Sequence, residues 1–284
     1  MPRPLWILPS FLCLVAPSVA TGWTLLLANQ SATGAKANPA DLVALFAAVW
    51  AIYLADRLHD GQRHRDLLSD DLAPRHDWAR HHPRTLAALL FAALALGAAA
   101  APDLSPGTWL AGGILAAATA AYFAVFRLTG WHKRLPQWLP WKEVGIAAVF
   151  TGGTAIAATG GSPLRVPASE LAALLLLFTG NCLLIARAER SWDRHNDECA
   201  YFATERRSHR LPEICFLLAI GLSLLSLAEG HGEFTGAVSL GAVASIAVGR
   251  FAGRRSAQPL ADAVLLGAWA AWMLSRGNGG GFFD

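Results

Sequence analysis

Residues 40–66 read ADLVALFAAVWAIYLADRLHDGQRHRD. The apolar run from Leu42 to Ala55 ends abruptly in Asp56 and Asp60, among arginines and histidines. Two acids at i and i+4 share one face of a helix, and like charges at that spacing repel. Helix stability is therefore not the reason for them. The apolar run sets the fold class, and the acids at its tip raise the question of function.

Only 15 % of the 284 residues are charged and 54 % are hydrophobic. Soluble domains of this size carry about 25 % charged residues, and the mean hydropathy of +0.39 points to lipid as the solvent. Eleven tryptophans against three tyrosines suit a chain with membrane interfaces. Nine apolar segments follow one another at about 5–27, 40–55, 86–101, 108–126, 144–159, 171–186, 213–228, 236–249 and 259–274. Several fall short of the roughly 20 residues that span a bilayer, and polar flanks extend them. Alanine and glycine are frequent in these segments, which allows helix backbones to approach closely. The first segment has a plausible signal-cleavage site at Ser18-Val19-Ala20, but its apolar character continues to Ala28, and a retained first helix is the expectation. TGGTAIAATGG, residues 151–161, reads as helix packing within the fifth segment. One membrane domain over residues 1–284 is expected: an all-α bundle of nine transmembrane helices around a central cavity.

Charge gives the orientation. Twenty of the 23 Lys and Arg residues fall at the N-terminus or in the even-numbered gaps between segments. Lys36, Arg165 and Arg276 are the exceptions. Cytoplasmic loops carry the positive excess, so the N-terminus is expected inside and the C-terminus outside, in a bacterial inner membrane. The pI of 8.8 thus reflects topology, and no nucleic-acid partner is expected. Cys13, Cys182, Cys199 and Cys215 form no C-x-x-C, so neither a disulfide framework nor a zinc site is read from them.

A second acidic stretch, ARAERSWDRHND at residues 186–197, closes the sixth segment. Glu189, Asp193 and Asp197 stand at i, i+4 and i+8. Both stretches contain [DE]-R-x-x-D, as Asp56-Arg57-Leu58-His59-Asp60 and Glu189-Arg190-Ser191-Trp192-Asp193. A single D-x-x-x-D at a helix end is usually a solvated face. Two rows on one membrane side, each after an apolar helix, favour chemistry. Carboxylate rows facing one cavity can hold Mg²⁺, which takes oxygen ligands shared between carboxylates and substrate phosphates. A diphosphate with a long apolar tail fits such a place, its head at the acids and its tail among the helices.

These motifs and the nine-segment layout resemble the UbiA superfamily of intramembrane prenyltransferases. Its two aspartate-rich motifs, similar to N-D-x-x-D-x-x-x-D and D-x-x-x-D-x-x-x-D, follow helices two and six. Asp56 and Asp60 match the last two acids of the first. Glu189, Asp193 and Asp197 match the second, with Glu in place of the leading Asp. The first motif's Asn falls on Ile52 and the adjacent acid on Tyr53. The resemblance implies that Asp56, Asp60, Glu189, Asp193 and Asp197 hold Mg²⁺ and that Asp56, Asp60, Asp193 and Asp197 are catalytic. It further implies that basic residues, here Lys142, Arg65 and Arg134, grip a polyprenyl diphosphate whose prenyl group passes to an unidentified acceptor. A terpene cyclase or a non-catalytic relative of the same superfamily are the alternatives. A membrane di-iron oxygenase is the less favoured alternative, since the histidines of HDGQRH and HDWARHH are only loosely spaced like its boxes. The D-x-x-D-G-x-x-A-R order of CDP-alcohol phosphotransferases is absent.

Overall fold

The computed structural model describes residues 8–30, 37–63, 74–128, 139–190, 201–203 and 209–277. Among these, all regular structure is helical: α1 (Leu8–Phe11), α2 (Val15–Gln30), α3 (Pro39–Arg63), α4 (Pro74–His81), α5 (Pro83–Ala100), α6 (Pro106–Leu128), α7 (Trp141–Ala158), α8 (Ala168–Ala188), α9 (Leu211–Ala228), α10 (Gly232–Phe251) and α11 (Arg254–Gly277). Nine of these described helices have 16 residues or more, one for each apolar segment. Five are long and apolar enough to cross a membrane: Pro39–Gly61, Pro83–Asp103, Ala168–Ala188, Leu211–Ala228 and Gly232–Phe251. The apolar part of α11 is shorter, Pro259–Ser275, and carries Asp262.

Proline opens α3, α4, α5 and α6, where a missing N–H costs nothing and the fixed φ suits a first turn. Positive-φ glycines follow α7 and α9: Gly160 at +59°, Gly161 at +95° and Gly230 at +90°. Gly160 and Gly161 therefore belong to the turn after α7. Gly152 and Gly153 pack inside that helix against Leu115 and Leu45. The first apolar segment is broken at Cys13, which has φ +56°. Ser10 O and Pro9 O accept the N–H groups of Cys13 and Leu14 and close a turn there. From Val15 the chain is helical through Ser18–Ala20 and into the core, with Val19, Ala20, Trp23 and Leu26 all buried.

Helices α2, α3, α7, α8 and α11 pack in a closed ring. Outside it, α5 lies on α3, α6 on α7, and α9 and α10 on α8 and α11. The outer helices carry large exposed apolar side chains: Phe91 on α5, Leu110 and Ile114 on α6, Leu217 on α9 and Phe251 on α10, each 61–86 % exposed. In water such a belt would drive association. Against acyl chains it is the expected surface, and with the apolar helices it makes the chain an integral membrane protein.

Small residues set the helix spacing, as the alanine and glycine content predicts. A Cβ added at Gly22 would lie 2.7 Å from the Trp269 ring, and one at Gly180 2.6 Å from Phe216. The closest approach joins the turn after α7 to the start of α6. A Cβ at Gly161 would fall 1.8 Å from the carbonyl carbon of Gly107. Gly161→Ala is expected to cost about 2–4 kcal/mol, combining an unfavourable positive φ with a backbone clash. Gly112, whose added Cβ meets nothing within 4 Å on α6, is the control. Gly112→Ala is expected to be neutral or slightly stabilising. Thermal midpoints in one detergent compare the two.

Candidate functional site

Chain direction brings the C-terminal ends of α3 and α8 and the N-terminal end of α7 to one end of the bundle. The opposite end is closed by three polar clusters. Asp41 accepts hydrogen bonds from Ser105 N, Ser105 Oγ and Thr108 Oγ1 at 3.1, 2.7 and 3.0 Å. Glu170 Oε1 lies 2.5 Å from His231 Nδ1. Trp272 Nε1 donates to Glu233 Oε2 at 2.7 Å.

At the acidic end, Asp56 and Asp60 are half-buried and Arg57 is buried at 8 % exposure. Arg57 Nη1 lies 4.0 Å from Asp60 Oδ2, and the guanidinium is in the electrostatic field of Asp56, Glu189 and Asp60. One buried cation thus lies within electrostatic range of acids from both motifs. Asp56 and Asp60 come from α3, and Glu189 caps α8 at its C-terminus. In the sequence Arg57 reads only as the shared arginine of the repeated [DE]-R-x-x-D and as part of the charge sorting. Its burial beside the acids is what marks it out.

The flanks of the second motif are held by two further contacts. Arg187 Nη1 donates to Glu213 Oε1 and to His209 O at 2.7 and 2.8 Å, and its Nη2 donates to Gly249 O at 3.3 Å. These bonds tie the end of α8 to α9 and α10. Buried Glu143, in the first turn of α7, accepts the N–H of Tyr201 at 2.7 Å. The single turn Tyr201–Ala203 is thereby fixed against α7 beside Lys142. Glu143→Ala is expected to lower stability by about 1–3 kcal/mol, because the Tyr201 N–H loses its partner in a buried place. Glu143→Gln, which keeps an acceptor oxygen, is expected to retain most of it. Thermal unfolding of the two variants in detergent decides.

Between the ring helices lies a narrow cavity lined by Ala16, Val19, Tyr53, Ile146, Ala147, Phe150, Phe178, Asn181, Cys182, Asp262 and Leu265. Tyr53 stands three residues before Asp56 on α3, so the cavity begins one turn below the acids. Its wall is aromatic, with the Phe150 and Phe178 rings edge-on at 4.9 Å. Within it Asn181 Nδ2 donates to Asp262 Oδ1 at 3.1 Å. Cys182 lies in the field of Glu143, Asp262 and Lys142, which puts the start of α7 and the middle of α11 around the same side chain. Asn181, Asp262 and Glu143 were not singled out from the sequence. The usable signal was an ionisable residue inside an apolar segment, which Asp262 is.

Of the sequence-derived candidates, Asp60 contacts Arg57 at 4.0 Å, and Asp56 and Glu189 lie within its electrostatic range. Lys142 opens α7, with Tyr122 Oη donating to its carbonyl at 3.3 Å. Asp193, Asp197, Arg65 and Arg134 lie outside the described residues. Among the described residues no three His, Cys, Asp or Glu side chains form a metal cluster.

No family model matches the sequence, nor does any curated protein. The chain does resemble a solved structure, the apo structure of a UbiA homolog from Aeropyrum pernix K1. The match has a TM-score of 0.59 and 21 % identity, and covers 93 % of this chain and 98 % of that one. At that identity the likeness is one of fold, and it extends over nearly the whole of both chains.

Proposed function

We propose that the protein is a divergent UbiA-superfamily enzyme, an intramembrane prenyltransferase that uses Mg²⁺ to ionise a polyprenyl diphosphate. What supports this reading is that one buried cation, Arg57, lies within electrostatic range of acids from both motifs, inside a fold shared with a UbiA homolog. The C1–O bond of the diphosphate breaks, its electron pair leaves with pyrophosphate, and the allylic carbon bonds to an acceptor, which gives up a proton.

The donor chemistry suits Mg²⁺, a hard cation that takes carboxylate oxygens. Asp56 and Asp60 would hold one ion. Asp193 and Asp197, with Glu189, would hold the other and complete a ligand set to which the described residues contribute only part. Bound metal would neutralise charge on the departing pyrophosphate. Lys142, Arg65 and Arg134 would grip its oxygens. Arg57 would offset part of the repulsion among these carboxylates. The prenyl chain would lie among the apolar helices below them. Charge sorting along the sequence supports a bacterial cytoplasmic membrane with the N-terminus inside.

Tyr53, Phe150 and Phe178 lining the cavity also suit a cation that closes on itself, since aromatic faces stabilise positive charge. That second reading is a terpene cyclase. One experiment addresses both. Purified protein in detergent is given geranyl, farnesyl or geranylgeranyl diphosphate, with Mg²⁺ or with EDTA. Mg²⁺-dependent pyrophosphate release is expected, and the organic products separate transfer from cyclisation. Protein that neither binds nor cleaves any of the three diphosphates would remove both readings.

A further inference from the structure

Helix α8 packs on α7, α9, α10 and α11, while α3 packs on α2, α4, α5 and α7. The place of Glu189 relative to Asp56 and Asp60 is therefore set chiefly by the neighbours of α8. The buried side chains of α8 end at Ala186. Beyond it the last turn has unpaired carbonyls and tends to fray. Arg187 is the side chain that holds this end. Its guanidinium donates to Glu213 Oε1 in the first turn of α9, to His209 O just before α9 and to Gly249 O in the last turn of α10. Gly249 admits it, since a Cβ there would lie 2.5 Å from Nη2. Apolar contacts are non-directional. Three hydrogen bonds to two neighbouring helices fix both the height and the rotation of the helix end. Glu189 follows two residues later, its N–H bonded to Ile185 O at 3.0 Å, within electrostatic range of Arg57. The Arg187 and Glu213 side chains are 19 and 20 % exposed. Replacing a buried ion pair by apolar side chains is often neutral, so stability is a poor account of this largely buried one.

We propose that Arg187 is a positioning residue for the second acidic motif: bonded to α9 and α10, it fixes the end of α8 and with it the place of Glu189 at the acidic end of the bundle. Its effect on metal binding rests on the prenyl-transfer reading, whereas its effect on the placement of Glu189 does not. Arg187 touches neither metal nor substrate and acts through Glu189. The planar guanidinium serves three acceptors at once in a fixed fork, which a lysine ammonium on a flexible stem does not reproduce. The segment that accepts from it is itself anchored. Arg190 Nη1 lies 3.4 Å from His209 Nε2, and the His209 ring stacks on Phe202. A carboxylate binds metal only as well as it is placed, and losing a group that orients a ligand typically costs about 10–100-fold in metal affinity.

The full-length protein in one detergent is titrated with MgCl₂ while its thermal midpoint is followed. Arg187→Met is expected to lower the midpoint without metal and to raise the Mg²⁺ needed for half the stabilisation by about tenfold, the low end of that range. Combining Arg187→Met with Glu213→Leu makes the pair apolar and is expected to regain most of the midpoint, while the Mg²⁺ requirement stays raised. A purely structural role would restore both. Gly249→Ala keeps Arg187 but crowds its Nη2, and is expected to raise the Mg²⁺ requirement by a smaller factor. A metal-free cycle tests the placement of Glu189. The fall in midpoint caused by Arg57→Gln is expected to be about half as large in Arg187→Met as in the unaltered protein, because effects that act through one shared group do not add. A Mg²⁺ requirement unchanged in both Arg187→Met and Gly249→Ala, a double variant that recovers stability and metal binding together, or an Arg57→Gln effect that simply adds would each overturn the role of Arg187. Mg²⁺-dependent binding of geranylgeranyl diphosphate to the unaltered protein is measured in parallel. If that protein binds neither Mg²⁺ nor the diphosphate, prenyl transfer fails, and the cycle with Arg57→Gln alone decides whether Arg187 places Glu189.

Discussion

Asp60→Asn and Asp193→Asn, made singly, are each expected to lower Mg²⁺-dependent pyrophosphate release from a prenyl diphosphate by about 10²–10³-fold. That is the scale on which losing one group that stabilises developing charge acts. Asparagine keeps the size of the side chain and one acceptor oxygen, so the loss isolates the charge. Asp60 sits 4.0 Å from Arg57, and its replacement also loosens that contact. Two readouts separate the effects. If Asp60 is a metal ligand, raising Mg²⁺ should recover part of the rate. If it only holds Arg57, the rate should not respond to metal. Asp41→Asn supplies the comparison. Asp41 is a buried acid at the opposite end of α3, bonded to Ser105 and Thr108. Its loss should lower the thermal midpoint and leave the rate per folded molecule unchanged. Full activity in both Asp60→Asn and Asp193→Asn would leave the motif acids without a catalytic role.

Hydropathy and charge carry most of the architecture. Each apolar segment became a long helix because desolvating backbone in lipid forces internal hydrogen bonds on any spanning segment. The parallel placement of α3 and α8 follows from counting reversals between them. That count brings Asp56, Asp60 and Glu189 to one end of the bundle. The i, i+4 spacing then puts the two α3 acids on one face. What the sequence hides is the rotation of each helix about its axis. Asn181 and Asp262 are 81 residues apart, and their contact depends on which faces α8 and α11 turn towards each other. Glu143 and Tyr201 are tied across 58 residues for the same reason. Ends are also hard to read. The extension of α3 to Arg63 and the helix α4 occupy a stretch that reads as loop because its residues are charged. The break at Cys13 has no glycine or proline at the residue that takes positive φ, so neither of the usual breaker residues marks the bend itself. Tyr53 is instructive in the other direction. By motif alone it reads as the loss of an acid, yet in the structure it is part of the cavity wall.

Arg57→Gln is expected to destabilise the protein by about 3–5 kcal/mol, the range for breaking a buried charge pair by removing one partner. The guanidinium is buried, 4.0 Å from Asp60 and within electrostatic range of Asp56 and Glu189, and neutralising it removes the positive charge that offsets these carboxylates. Arg57→Lys restores the charge but not the planar fork, and should recover only part of the loss. Mg²⁺ gives the decisive comparison. If these acids can bind a divalent ion, metal replaces the missing positive charge, and binding to the folded state alone raises stability. The thermal midpoint of Arg57→Gln should therefore rise more on adding MgCl₂ in place of EDTA than that of the unaltered protein. A midpoint lowered by Arg57→Gln yet indifferent to Mg²⁺ would mean that Arg57 serves the fold and that no divalent ion shares its acids. A midpoint that does not fall at all would mean that the acids at the ends of α3 and α8 stay solvated enough to bear their own repulsion. That would take away the observation on which the proposed site rests.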